Sequence, residues 1–118
     1  MAAKDDLGRL GEELAARHLR AAGMEVVARN WRCRHGEIDL VVRDGPVVAI
    51  VEVKTRSGLG FGHPLEAITV AKLRRLRRLA GLWSAEHGHP RSRMRLDAVS
   101  VIAPRDAPAR IEHIAGIG

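Results

Sequence analysis

Asp39, Glu52 and Lys54 have the residue types and spacing to do chemistry. Glu52 interrupts the apolar run from Val47 to Val53, Lys54 follows two residues later, and Asp39 stands thirteen residues ahead in Gly36-Glu37-Ile38-Asp39-Leu40. Burying a charge is costly unless it is paired or has a ligand to hold, so charges inside such runs need a reason. An acid joined through a turn to Glu-x-Lys is what a metal-dependent phosphodiesterase needs to hold one cation and one attacking water. Two carboxylates suit a hard cation, Mg²⁺ or Mn²⁺, which keeps open positions for water and a phosphate oxygen. Beside it the ammonium of Lys54 is placed to orient or deprotonate the water and to stabilise charge on the pentacoordinate phosphorus. The plainer alternative is a salt-bridged group at a strand end. Taken one at a time, each residue fits that alternative better, and only their shared face and spacing favour a site.

The elements that must position these residues follow from patterning. Asp5 or Asp6 as N-cap, Leu7, Leu10 and Leu14 at helical spacing, and Gly23 as a stop mark a first helix. Three strands come next, Glu25 to Arg32, Glu37 to Arg43 and Val47 to Thr55, separated by Arg34-His35-Gly36 and Asp44-Gly45-Pro46. Ser57 to His63, with three glycines, is a loop, and Leu73, Leu76, Ala80 and Trp83 mark a second helix running to about Glu86. Met94 to Ile102 is a fourth strand and Ile111 to Ile114 a short fifth. The expected class is α/β in the order α-β-β-β-α-β-β, a mixed sheet flanked by helices.

A two-residue Asp44-Gly45 loop would place Arg43 opposite Pro46 and Asp39 opposite Ile50. Alternation then puts Asp39, Glu52 and Lys54 on one sheet face. Asp39 falls on the diagonal from Glu52, roughly 7 Å between Cβ atoms, close enough for two carboxylates to share a cation. In this register Glu37 faces Glu52 directly and is a rival ligand to Asp39. A slip of one residue would dismantle the arrangement.

With 118 residues, 46% of them hydrophobic, the chain suits one domain with a core, residues 1–118. Twenty Lys and Arg against 14 Asp and Glu favour a polyanionic partner. With Cys33 as the only cysteine, no intrachain disulfide and no cysteine-based zinc site can form, which fits a reducing compartment, by default the cytoplasm. No apolar run is long enough for a bilayer, so no membrane role is expected. The histidines lack metal-ligand spacing that also recruits a carboxylate, which argues against zinc.

Gly8-x-x-Gly11-Glu12, Arg29-Asn30-Trp31-Arg32, Gly36-Glu37-Ile38-Asp39-Leu40, Val51-Glu52-Val53-Lys54-Thr55-Arg56, Lys72 and Arg95-Leu96-Asp97 together resemble the YraN family of bacterial proteins, over nearly the whole chain. That family is similar to archaeal Holliday junction resolvases and to the PD-(D/E)xK nucleases, so the resemblance implies a restriction-endonuclease-like core. It implies Asp39 and Glu52 as metal ligands, Lys54 as the catalytic lysine and the carbonyl of Val53 as a further ligand. The first-helix glutamate of resolvases falls on Glu12, although spacing alone leaves Glu12 and Glu13 open, since each borders an apolar helix face. Ile38 stands where the superfamily has proline.

The basic stretch around Lys72, Arg74, Arg75, Arg77 and Arg78 surrounds a leucine stripe and is either a phosphate-contacting or a solvated face. Arg32, Arg56, Lys72 and Arg75 are the candidate DNA contacts. With no Tyr, one Phe and two Trp, the chain lacks stacking platforms for single strands, so duplex or branched DNA is favoured. Trp83 reads as core, and Trp31 as core packing before nucleic-acid contact. The expected function is a magnesium-dependent DNA endonuclease or resolvase-like protein. The alternatives are a nucleic-acid binding module without catalysis and an interaction protein. A homodimer is implied only by analogy with resolvases.

Overall fold

The computed structural model describes residues 2–58, 60 and 62–118, with side chains from Asp6 onward. Helix α1 spans Ala2–Ala21. It starts earlier than the expected cap: Asp6 lies inside the helix, 3.4 Å from Arg9, and the side chain of Asp5 is outside the described residues. Ala2, Ala3 and Lys4 are strong helix formers, and an acid within the opening turns favours the helix dipole. The stop is as expected. Gly23 has a φ of +95, and the Met24 N–H donates to Leu19 O at 3.0 Å, closing the last turn.

The strands are β1 (Glu25–Cys33), β2 (Gly36–Asp44), β3 (Val47–Arg56), β4 (Met94–Ile102) and β5 (Arg110–Ala115), in that spatial order in one sheet. All neighbours are antiparallel except β3 and β4, which run parallel. A parallel pair needs a long crossover, and helix α2 (Val70–His87) supplies it. Thr69 caps α2 by accepting from the Lys72 N–H at 3.2 Å, and Gly88 ends it at a φ of +65. The loop before α2 also holds a 3₁₀ turn, Pro64–Ala67, absent from the pattern-based expectation. A reciprocal His63 and Glu66 cap stabilises it, a local signal too short for periodicity to reveal.

The helices cover opposite faces. On β3, Ala49, Val51 and Val53 join Ala15, Ala16 and Leu19 of α1, whereas Val48 and Ile50 join Leu76, Leu79 and Trp83 of α2. Trp83 is 3% exposed, and Trp31 packs partly buried against the α2-side cluster. α1 approaches β3 closely because Gly11 has no Cβ; one there would overlap the side chain of Thr55. That approach carries Glu12 toward the end of β3. No described helix is long and apolar enough to cross a membrane.

Candidate functional site

The β2–β3 hairpin turns at Gly45-Pro46, with Asp44 paired to Val47 and Leu40 to Val51. This corrects the expected register by two residues. Proline has no N–H to give a ladder, and it fits the second loop position after Gly45 at φ +60, a type II′ arrangement. Because the shift is even, side-chain faces within the paired stretch from Leu40 to Asp44 are preserved. Continued one step past its last pair, the ladder would set Asp39 across from Glu52 instead of on its diagonal, and Glu37 no longer faces Glu52. Glu37 is instead paired with Arg32 on β1, with Arg32 Nε 3.3 Å from its carboxylate.

The ladder of backbone pairs stops at Leu40 and Val51. Beyond it the Val53 N–H donates to Asp39 Oδ2 at 2.8 Å, so a carboxylate replaces a backbone carbonyl where the two strands part. Glu52 is 4% exposed, and its Oε2 lies 3.1 Å from the Nζ of Lys54. Burial, then the charge of Glu52, pushes the Asp39 carboxyl up to about 7; Glu12 adds to the rise, and the Val53 N–H and Lys54 offset part of it. Glu12 is raised as well, by burial first and also by the charges of Glu37 and Glu52. The three acids are thus near enough to feel one another's charge, and Lys54 is in contact with Glu52.

Leu7, Gly8, Glu12, Val53, Lys54, Thr55, Arg56 and Ser57 line a groove of about 590 Å³. Glu12 and Val53 therefore open onto the same space as Lys54. Across Lys54 stands Lys72 at the start of α2, its ammonium held below the usual range chiefly by the charge of Lys54. Glu13 is excluded from this group: it is paired with Arg29 at 2.7 Å and Arg17 at 2.8 Å, which hold it below the usual carboxylate range. Of the candidate DNA contacts, Arg56 lines the groove and Lys72 adjoins Lys54, Arg32 is engaged with Glu37, and Arg75 is exposed on α2. Among the described residues, no three His, Cys, Asp or Glu side chains converge on one point, since Glu52 is turned to Lys54 and Asp39 to Val53. The donors are all oxygens and their negative charge is undercompensated, which is the chemistry a hard divalent cation fits.

A second buried acid is complete by contrast. Asp97 is fully buried and receives Arg95 through Nε at 2.8 Å and Nη2 at 2.9 Å, His113 Nε2 at 2.8 Å and the Gly116 N–H at 3.1 Å. Burial alone would raise its pKa; these partners, Arg95 first, hold it below the usual value. Arg95 also reaches Asp44 at 3.1 Å, tying the β2–β3 turn to β4. Nothing in sequence spacing announces this network. Nor did it single out Asn30, whose backbone is left-handed at φ +50. The one available signal is that asparagine tolerates that region better than most residues.

The model of an uncharacterised protein family, UPF0102, matches residues 11–101. A UPF0102 protein of Beutenbergia cavernae is 56% identical over 118 residues, all of both chains. One from Frankia casuarinae is 54% identical over 116 residues, 98% of each chain, and one from Nocardia farcinica is 56% identical over 114 residues, 97% of this chain and 90% of its own. With matches of this length and identity, the chain belongs to the uncharacterised protein family UPF0102, the YraN-like family that its motifs resemble.

Proposed function

We propose that this protein is a divalent-metal-dependent endonuclease acting on duplex or branched DNA. The observation that carries this is the mutual proximity of Asp39, Glu52 and Glu12, with Lys54 in contact with Glu52 and with Asp39 pushed up to about 7, first by burial and then by the charge of Glu52. Asp39, Glu52, the carbonyl of Val53 and Glu12 would hold Mg²⁺ or Mn²⁺. When bound, the ion supplies Lewis-acid polarisation of the phosphate and a lowered pKa for water. Lys54, next to Glu52, would orient the attacking water and meet charge developing on phosphorus. Water attacks phosphorus as the bond to the leaving oxygen breaks; the water proton passes to solvent or a nearby base, and the leaving oxygen is protonated. Lys72 and Arg56 offer positive charge at the groove for neighbouring phosphates.

The test is cleavage of plasmid, linear duplex and four-way-junction DNA in Mg²⁺ and in Mn²⁺ by wild type, Glu52→Ala and Lys54→Ala, with folding checked by circular dichroism. Metal-dependent cutting is expected, falling by about 10²-fold or more in each variant. The Glu52–Lys54 pair, already closed at 3.1 Å, favours a second reading, a DNA-binding module without catalysis. That reading expects salt-sensitive binding that survives Glu52→Ala, with no cutting in any metal.

A further inference from the structure

β1 and β2 both turn over beside Asp39. Ala28 and Trp31 lie three residues apart, yet both pack on the α2-side cluster, and so do Ile38 and Val41. Strict alternation would send the members of each pair to opposite faces. The register pairs Arg29 with Leu40 and Trp31 with Ile38, so the two irregularities stand across from each other, at Asn30 and Asp39. Asn30 is the one non-glycine with positive φ among the described residues. A left-handed residue turns the strand there, and the same irregularity leaves Asp39 free to reach the Val53 N–H instead of continuing the ladder.

The side chain of Asn30 has a second attachment. With its NH₂ facing the acids, it donates to Glu12 Oε1 and to Glu37 Oε2, each at 3.1 Å. It links α1, β1 and β2 at the rim of the acid cluster. The bond to Glu12 occupies Oε1 and leaves Oε2 for another partner, while Glu37 receives both Asn30 and Arg32 on its Oε2.

We infer that Asn30 is a positioning residue for the cation site: its left-handed backbone and two-acid amide clamp hold Glu12 in place for the ion. This rests on the proposed metal site and deepens it. A hydrogen-bond partner of a metal-ligating carboxylate typically contributes 10- to 100-fold to affinity, and for an exposed amide the low end applies. The test is Mn²⁺ affinity, by titration calorimetry on the full chain, of wild type, Asn30→Gly, Glu12→Gln and the double variant, with melting temperature read alongside. Glycine adopts φ +50 without strain, so it removes the amide and leaves the backbone turn. Expected is about tenfold weaker Mn²⁺ binding in Asn30→Gly at an unchanged melting temperature, and no further loss when it is added to Glu12→Gln. Wild-type affinity in Asn30→Gly, additive losses, or collapse of its fold would each overturn the inference while leaving the metal site standing. Wild-type protein that binds no Mn²⁺ would overturn the metal site and the inference together.

Discussion

Asp39 and Asp97 are both aspartates set into the same sheet, one beside Val53 and the other opposite Val51 on β3, and they are opposites in electrostatics. Asp97 has an arginine fork, a histidine and a backbone N–H; Asp39 has one N–H and the company of two more acids. The protein's own groups complete the first. The second is left short of positive charge, and its one donor, Val53, lines a groove together with Glu12 and Lys54. Buried charge by itself therefore does not mark a site; incomplete compensation beside open space does.

The largest effect should come from breaking the complete partner set. Asp97→Asn strands Arg95 and His113 and should cost about 3 to 5 kcal/mol in urea unfolding, whereas Asp39→Asn keeps an acceptor for the Val53 N–H and should not destabilise the metal-free protein. Equal losses in both variants would erase the distinction between the two acids.

Next in size are pH slopes of opposite sign. Asp39 is raised from 3.8 to about 7 in the fold, so its contribution is fully present below pH 3.8 and is lost as pH rises through about 7. Asp97 is depressed, so its contribution is present above 3.8 and is lost as pH falls through its lower folded value. In EDTA, stability should fall by about 2 kcal/mol between roughly pH 5 and pH 8, after discounting for the partial exposure of Asp39. Asp39→Asn should flatten that slope, and a slope unchanged in the variant would assign it to other groups.

The smallest effect concerns the cations. Lys72→Ala should leave the melting temperature unchanged, because its dominant neighbour is the like charge of Lys54. It should lower the slope of log DNA affinity against log salt by about 1. Loss of stability without a change in that slope would place Lys72 with the structural cations such as Arg95.

Much of this architecture was legible in order and type. The Val-rich runs around Glu52, the Gly23 stop and the α2 leucine stripe are local patterns, and β4 falls on Met94–Ile102 as read. The register error was even, so it left the faces of the paired residues Leu40 to Asp44 unchanged; Asp39 lies beyond that ladder, where alternation breaks between Ile38 and Val41. What patterning could not reveal depends on conformation or distant partners. The turn type follows from Pro46 lacking an N–H, the 3₁₀ turn from one capping pair, and the role of Asp97 from His113, sixteen residues on. Asn30 stands in the stretch Arg29-Asn30-Trp31-Arg32, but its left-handed backbone and its clamp on Glu12 exist only once α1 is packed against β3.

The most direct test of the metal site is calorimetric titration of Mn²⁺ at about pH 8, above the raised Asp39 value, into wild type and Asp39→Asn. Expected is saturable binding by the wild type that weakens as pH falls through about 7, and its loss in an Asp39→Asn protein that is still folded. No saturable binding by the wild type, or equal binding by the variant, would contradict a cation site at Asp39.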